Sequence, residues 1–340
     1  MTYYVNRMVN RREDRDMPKF LRGFMASLAT AAFLLTACAS NTDKSPTESQ
    51  SPSSPSASAK ASNDRVVALG YGDADTLLAL GITPVALATW GSEGDGDPSG
   101  VGPWAKEKLG SAKPTVLYDV ARGIDSKVLE KVAALKPTKI IAVNQAVDAT
   151  AQTELNKIAP TTVHDPQYKD WQVPWDAQVR TIAKAVAKEG EGEKLIKESE
   201  KAMSDLANKH KDTVIGKKAA IGMPYSGKLG IYTSGDARGE FIEKLGFKIP
   251  DELNSKESYF MDLSPENWTK LDQNDYFFVC DYLGSSEALK SDPIFQGLNI
   301  AKNGKVVYLD NDTSNAMSML NPLTISYVTK NVDAAFAKVK

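Results

Sequence analysis

The chain has 340 residues, of which 42% are hydrophobic and 25% charged, a composition typical of a globular protein with room for two domains. Its formal net charge of -2 provides no basic surface, so we expect no nucleic-acid partner. The 2 histidines and 2 cysteines disfavour a transition-metal site, including one that captures free zinc or manganese.

The first segment of the chain has the pattern of a secretory leader. Five basic residues precede an apolar stretch at 23–37: Arg11, Arg12, Arg15, Lys19 and Arg22. That stretch is shorter than the roughly 20 residues that a membrane-spanning helix needs. It ends in Leu35-Thr36-Ala37-Cys38, which resembles a bacterial lipobox, whose cysteine is lipidated before cleavage. We therefore predict a lipoprotein signal peptide at 1–37 and lipidation of Cys38. A plain secretory signal is the alternative, and Met17 is an alternative start.

Residues 38–63 differ sharply in composition from the rest of the chain. Serine, proline, threonine and other small residues dominate this segment, and such residues cannot bury a hydrophobic core. We predict a disordered tether that holds the folded part at the extracytoplasmic face of the membrane through the lipid on Cys38.

Residues 64–172 alternate strand-like and helix-like patterns, which favours an α/β lobe with a mainly parallel sheet. Strands are predicted at 65–70, 84–90, 115–118, 139–144 and 161–164, and helices at 74–80, 103–109, 126–135 and 153–158. Gly70-Tyr71-Gly72 lacks the third glycine of a dinucleotide fingerprint and is interpreted as a turn. Asp95 and Asp97 lie in a Gly/Asp-rich loop without the spaced ligand set of a calcium site.

Residues 173–211 are predicted to form the helices that link two lobes. Trp175, Val179, Ile182 and Val186 form one apolar stripe at helical spacing. The pair Gly190 and Gly192 is predicted to break this helix and start a second one. The first helix is interpreted as the long backbone helix that joins the lobes.

Residues 212–340 repeat the alternation and predict a second α/β lobe. Strands are predicted at 219–223, 229–233, 276–280 and 305–309, the first two as a hairpin through Ser226-Gly227, with helices at 239–245, 265–271 and 322–339. Cys280 falls within the apolar run at 276–280, so a buried thiol is expected.

Four stretches resemble the ferric-siderophore substrate-binding lipoproteins of bacterial ABC importers, in particular the actinobacterial type. They are RVVALGYGDADTLLALGITPV, LEKVAALKPTKIIAV, LNKIAPTTV and SDPIFQGLNIAKNGKVVYLD, and the resemblance extends over about 65–339. It implies two Rossmann-like lobes joined by a single long helix, with a ligand cleft between them. It also implies an ABC permease as partner and a monomer that binds its ligand without a cofactor.

Candidate ligand-binding residues stand at the predicted strand ends and in nearby loops, because ligands bind beyond the carboxyl ends of parallel strands. They are Tyr71, Trp90, Trp104, Arg122, Asn144, Trp171, Tyr225, Arg238 and Tyr282, with Tyr118, His164, Tyr232, Asp281 and Met317 close by. The iron of a ferric siderophore is already wrapped, so the protein needs aromatic faces and cations but no metal ligand. Arginine suits this role because it is planar and always charged. The alternatives are surface ion pairs for the arginines and core or rim positions for the aromatics.

Glu130 and Glu266 occupy similar settings in the two lobes. Each lies near the start of a predicted helix, ten residues before Ile140 and Tyr276 respectively, in the strand that follows. The resemblance implies that both glutamates dock on arginines of the permease, although Lys127 and Lys131 dilute the acidic character around Glu130. A solvated helix face is the alternative.

The predicted function is capture of a ferric siderophore for an ABC importer, without catalysis. The sequence has no G-x-S-x-G, P-loop or H-E-x-x-H motif. Haem, with His164 or a cleft tyrosine as axial ligand, and cobalamin are alternative ligands. A tethered cell-surface hydrolase or adhesion module is the alternative from another class.

Overall fold

The computed structural model describes residues 64–89, 92–94, 96–255 and 257–338. The predicted signal peptide at 1–37, Cys38, the predicted tether at 38–63, Trp90 and Asp95 all lie outside these residues. The structure therefore does not test the predictions made for them.

The first sheet is parallel throughout and has the strand order β3-β2-β1-β4-β5. Its strands are β1 (Val66–Ala68), β2 (Ala86–Ala88), β3 (Thr115–Leu117), β4 (Lys139–Ala142) and β5 (Thr161–Val163). Between them run helices α1 (Asp73–Ala79), α2 (Lys106–Leu109), α3 (Ser126–Ala134) and α4 (Ala149–Ile158). β1, β2 and β4 are almost wholly apolar and buried, as expected of strands covered on both faces. The predicted alternation of strands and helices in this lobe is confirmed.

Two helices connect the lobes, α5 (Trp175–Ala185) and α6 (Glu189–Lys209), followed by the short α7 (Lys211–Val214). The predicted position of the break is wrong. The chain turns at 186–188, where Ala187 adopts a left-handed φ of 55°, and both glycines lie in the first turn of α6. A Cβ on Gly192 would lie 2.6 Å from the Cβ of Ala183. This glycine therefore allows α5 and α6 to pack closely.

The predicted linking helices are present, and the second of them is the longer. α5 packs against α1 in the first lobe, while the longer α6 packs against α5 and against the C-terminal helix. The long backbone helix is therefore α6, the second helix of the pair, and not α5. Its buried stripe includes Ile196, Met203 and Leu206.

The second sheet is mixed and has the order β10-β9-β6-β7-β8. Its strands are β6 (Ala219–Tyr225), β7 (Lys228–Tyr232), β8 (Phe260–Leu263), β9 (Tyr276–Cys280) and β10 (Val306–Leu309). β6, β9 and β10 are parallel, whereas β7 and β8 are antiparallel neighbours. The predicted hairpin is confirmed, with Ser226 and Gly227 both at positive φ in its turn. β8 was not predicted.

The helices of the second lobe are α8 (Ala237–Lys244), α9 (Ser286–Ser291), α10 (Pro293–Gln296), α11 (Asn299–Lys302), α12 (Asn311–Met317) and α13 (Pro322–Phe336). Short 3-10 helices span Val120–Arg122, Asp251–Leu253 and Pro265–Gln273; the last replaces the helix predicted at 265–271. Asn321 caps α13 in a capping box with Thr324. Cys280 is fully buried, as predicted, and burial raises the pKa of its thiol to about 12. No helix among the described residues is long and apolar enough to cross a membrane.

Candidate ligand-binding site

The first half of the site is a pair of aromatic rings in the N-terminal lobe. Tyr71 follows β1 and is buried, and its ring lies 5.1 Å from that of Trp171 at an interplanar angle of 31°. Trp171 adopts a left-handed φ of 66°, a conformation that costs a residue with a side chain of order 1–3 kcal/mol. This ring contact joins the two predicted residues in one aromatic platform.

Buried amide groups fix the loop that carries Tyr71. The Nε2 of Gln178 donates to the carbonyl of Tyr71 at 2.9 Å and to Asp73 Oδ1 at 2.7 Å. The side-chain nitrogen of Asn144 donates to the same carbonyl at 3.2 Å. Gln178 belongs to α5, so a linking helix holds the site loop directly. Gln178 and Asp73 were not predicted, because one sequence pattern gave no reason to pair residues so far apart along the chain.

Two buried carboxylates, Asp73 and Asp75, lie at the start of α1, directly after the loop that carries Tyr71. Asp73 accepts hydrogen bonds from the backbone of Gly70 and Val143 at 3.0 and 2.8 Å. Burial raises the pKa of Asp73 to about 6, although the donors that contact it favour the charged form. Burial likewise raises the pKa of Asp75 to about 6.

Asp75 joins two parts of the molecule through a single oxygen. Its Oδ2 accepts from the indole nitrogen of Trp104 at 2.7 Å and from the side-chain nitrogen of Asn321, the cap of α13, at 3.3 Å. Trp104 also packs edge-on against Tyr327 at 5.9 Å. These contacts hold Trp104 between α1 and α13. They give the indole a structural role, which makes it a weaker candidate for ligand binding than predicted.

The second half of the site is a buried arginine in the C-terminal lobe. Arg238, at the start of α8, donates from Nη1 to both carboxylate oxygens of Asp236 at 2.8 Å and from Nε to the hydroxyl of Tyr282 at 2.9 Å. Its guanidinium carbon lies 3.9 Å from the ring centre of Tyr232. The Tyr282 hydroxyl in turn donates to the carbonyl of Ser314 at 3.1 Å. The structure thus brings the predicted Arg238 and Tyr282 together, with Tyr232 beneath the cation.

Tyr225 stands at the carboxyl end of β6 beside the hairpin turn. Its hydroxyl donates to Asp262, which also lies 3.3 Å from the ammonium of Lys228. Its ring packs against Phe260 at 5.5 Å. Burial and the neighbouring carboxylate raise the pKa of Tyr225, so the phenol remains protonated.

Arg122 differs from Arg238 in its exposure. It ends the 3-10 helix after β3 and lies 3.2 Å from Asp119, with side-chain exposures of 46% and 39%. In the Arg238–Asp236 pair the corresponding values are 9% and 15%. The alternative of a surface ion pair therefore describes Arg122, whereas Arg238 is built into the lobe.

One exposed ion pair joins the two lobes near the candidate residues. Lys169, two residues before Trp171, lies 3.8 Å from Glu257 in the second lobe. Glu257 precedes Tyr259, whose carbonyl accepts from the backbone nitrogen of Thr233, directly after Tyr232. This ion pair links the loop that carries Trp171 to the segment before β8, which is hydrogen-bonded to the backbone next to Tyr232.

The remaining predicted residues occupy varied positions. Met317 is fully buried in the core, and Glu130 and Glu266 are exposed on their helices. Both ring nitrogens of His164 face oxygen atoms, the carbonyl of Asp165 at 2.9 Å and a carboxylate oxygen of Asp170 at 3.1 Å. Among the described residues, no cluster of three or more His, Cys, Asp or Glu side chains could hold a metal ion.

Comparison with known proteins identifies the family of this chain and solved structures that share its fold. Residues 66–313 match the family described as "Periplasmic binding protein", and because this match extends over most of the chain, the protein belongs to that family of solute-binding proteins. The fold, two α/β lobes with the linking helices between them, is shared with solved members. One is PiaA of Streptococcus pneumoniae in complex with ferrichrome: it is 30% identical, with a TM-score of 0.65 over 82% of this chain and 94% of PiaA.

Two curated relatives are from Bacillus subtilis. The Fe(3+)-citrate-binding protein YfmC is 30% identical over 166 residues, 47% of this chain and 50% of YfmC. The probable siderophore-binding lipoprotein YfiY is 26% identical over 236 residues, 65% of this chain and 66% of YfiY. The chain thus matches about half of the first relative and just under two thirds of the second.

Proposed function

We propose that this protein captures a ferric siderophore outside the cytoplasm and delivers it to the permease of an ABC importer. The observation that carries the proposal is the pair of half-sites, one in each lobe: the Tyr71–Trp171 platform and the Tyr232–Arg238–Tyr282 cluster. Tyr71 follows β1, Tyr232 ends β7 and Tyr282 follows β9, while Trp171 and Arg238 are brought to them by a loop and by the start of α8. Membership of a solute-binding family and the similarity to a ferrichrome complex support it.

The geometry suits a ligand whose metal is already enclosed. Aromatic faces bind the organic shell through apolar contact and dispersion, and the buried guanidinium offers planar donors to the oxygens around the iron. Neither half needs to contribute a metal ligand. The protein would bind and release its ligand unchanged, as a monomer and without catalysis.

Haem is less well supported as the ligand. An axial histidine needs a ring nitrogen with a lone pair directed at the iron, whereas both nitrogens of His164 face oxygen acceptors. Binding haem through His164 would break both contacts. A tyrosine ligand such as Tyr225 would first have to leave Asp262.

A fluorescence titration tests the proposed function. The intact protein is titrated with ferric hydroxamate, catecholate and citrate complexes, with haem and with cobalamin, while tryptophan emission is recorded. We expect saturable quenching by at least one ferric complex and none by the iron-free chelator. Quenching by haem alone, accompanied by a Soret shift, would contradict the proposal. The absence of quenching by every ferric complex would also contradict it.

We further propose that a lipid on Cys38 holds the protein at the outer face of the membrane through the tether at 38–63. The support is the order of basic, apolar and lipobox residues, together with the extracytoplasmic role of the family. In Cys38→Ser we expect the protein to move from the membrane to the soluble fraction or to keep its leader. Unchanged membrane retention with normal processing would contradict lipidation.

Glu130 and Glu266 are proposed to dock on the permease. Both are exposed, one on α3 and one on the 3-10 helix of the opposite lobe, and the hydroxyl of Ser264 lowers the pKa of Glu266, which favours its charged form. The double change to Lys should slow uptake strongly while ligand affinity stays constant. Charge reversal at Glu198, an exposed residue of α6, is the matched control. Unchanged uptake in the double variant would remove the docking role.

A further inference from the structure

Four cations among the candidate residues and the segments next to them have carboxylate partners. Arg238 contacts Asp236 at 2.8 Å and Arg122 contacts Asp119 at 3.2 Å. At the edge, Lys228 lies 3.3 Å from Asp262 and Lys169 lies 3.8 Å from Glu257. The four positive charges are therefore matched by four negative ones.

A further carboxylate at the strand ends is held by uncharged donors. Asp281, directly after β9, accepts from the hydroxyl and backbone nitrogen of Ser286 at 2.8 and 3.2 Å and from the hydroxyl of Ser285 at 3.4 Å. Among the described residues named above, five carboxylates thus accompany four cations, so these groups carry no positive excess. A highly anionic ligand would meet fixed carboxylates wherever it approached a cation.

The Arg238–Asp236 pair cannot easily open to receive an anion. Both side chains are buried, and Asp236 also accepts from the backbone nitrogen of Arg238 as the cap of α8. Moving the carboxylate away would uncap the helix and separate two desolvated charges. In the described contacts Arg238 donates through Nε and Nη1, which leaves Nη2 to donate to an uncharged ligand oxygen.

We propose that the site selects an electrically neutral ferric complex, one in which three hydroxamates enclose the iron, over tris-catecholate and citrate complexes. This inference rests on the proposed function and names its ligand class. Three singly negative hydroxamates cancel the charge of Fe(III), whereas three doubly negative catecholates leave a highly charged anion. A neutral shell gains the aromatic contacts of both half-sites and loses nothing from the pairing of Arg238, Arg122 and Lys228 with carboxylates, whereas an anionic complex finds no uncompensated charge among these cations to attract it.

Isothermal titration of the intact protein with ferrichrome, ferric citrate and a ferric tris-catecholate tests the inference. We expect ferrichrome to bind at least about tenfold more tightly than either anionic complex. Its affinity should change little between low and high salt, because a neutral ligand is not screened.

A charge-changing variant tests the cause of this preference. Asp236→Asn keeps a capping side chain but releases one positive charge, so affinity for the anionic complexes should rise about tenfold relative to ferrichrome. Asp119→Asn, at an exposed pair, should act in the same direction and covers the case in which Asp236→Asn fails to fold. Asp205→Asn is the control, because Asp205 pairs with Lys201 on α6 and gives the same change in net charge in the linking helix.

The outcomes separate the inference from the proposed function. If wild type binds ferric citrate or the tris-catecholate as tightly as ferrichrome, the charge inference is overturned and siderophore capture stands. If Asp236→Asn and Asp119→Asn shift the preference no more than Asp205→Asn, the inference is again overturned. If none of the three complexes binds, both proposals fail.

Discussion

The two halves of the candidate site are held in place by different chemistry. The N-terminal platform of Tyr71 and Trp171 is fixed by amides, with Gln178 and Asn144 donating to the carbonyl of Tyr71. The C-terminal half is fixed by the buried Arg238–Asp236 ion pair and its tyrosines. The comparison shows that an aromatic surface can be held in place by amide hydrogen-bond donors or by a buried ion pair, provided that the buried polar groups beneath it have hydrogen-bond partners.

The largest expected effect comes from removing the buried cation. Arg238→Ala leaves Asp236 buried and unpaired, which should lower the free energy of unfolding by about 3–5 kcal/mol. Arg122→Ala breaks a similar but exposed pair and should cost no more than about 1 kcal/mol. Denaturant unfolding of the two variants measures both values. Equal small losses of stability would show that burial does not determine how much each ion pair stabilises the fold.

The stability of the protein should depend on pH because of the buried carboxylate Asp75 in the N-terminal lobe. The pKa of Asp75 is about 6 in the folded protein and near 3.8 in the unfolded chain. The folded state therefore holds the proton more tightly, and stability falls as pH rises from about 4 to about 6. Asn at this position can present its carbonyl oxygen to Trp104 and Asn321 and carries no charge. Asp75→Asn should therefore gain stability over wild type across this range, by up to about 3 kcal/mol.

Unfolding free energies of wild type and Asp75→Asn measured from pH 4 to 8 test this effect. Asp212→Asn, at an exposed position in α7, is the control and should run parallel to wild type. If the difference between Asp75→Asn and wild type did not grow with pH, the role assigned to burial of Asp75 would be wrong.

Loss of the amide support should weaken the N-terminal half alone. Gln178→Leu deprives the carbonyl of Tyr71 and the carboxylate of Asp73 of a buried donor, a cost of about 1–3 kcal/mol. Thr181→Ala on the same helix removes a hydroxyl that bonds only within the helix and should cost less. Hydrogen exchange of the loop after β1 should rise in Gln178→Leu while the segment around Arg238 stays protected. Uniform loosening of both lobes would contradict the separate support of the halves.

The smallest expected change in stability comes from the strained tryptophan. Trp171→Gly removes the ring contact with Tyr71, of about 0.5–1.5 kcal/mol, but also relieves the left-handed backbone strain of about 1–3 kcal/mol. Stability should stay near that of wild type while ligand affinity falls about tenfold. Trp268→Phe, at a buried indole in the core of the second lobe, is the control for affinity. Unchanged affinity in Trp171→Gly would remove Trp171 from the site.

Local patterns sufficed to predict the architecture but not the contacts between distant residues. Apolar runs and the turns between them gave the strands of the parallel sheet, and Ser226-Gly227 gave the hairpin. The break in the linking helices was misplaced because Gly192 serves helix packing, which depends on Ala183 in the neighbouring helix. The strand at Phe260–Leu263 mixes apolar and charged residues and pairs only at the sheet edge, so its pattern was weak.

The same limit applies to the candidate site. Strand-end positions identified Tyr71 and Tyr282, because each follows a strand whose sheet neighbours run parallel to it, and Arg238 was identified from the loop after β7. The partners that define their chemistry, Gln178 and Asp236, could not be assigned from spacing. Because Arg238 is paired with Asp236, the cation expected to contact the ligand forms an ion pair without net charge. Only the structure shows this pairing.

A structure of the protein with ferrichrome bound would show directly whether the two half-sites bind one ligand. We expect the ligand to lie between the lobes, with its organic shell against Trp171 on one side and Tyr232 and Arg238 on the other, and with no protein atom coordinated to the iron. A ligand bound to one lobe alone, or held by a protein side chain on the metal, would contradict it.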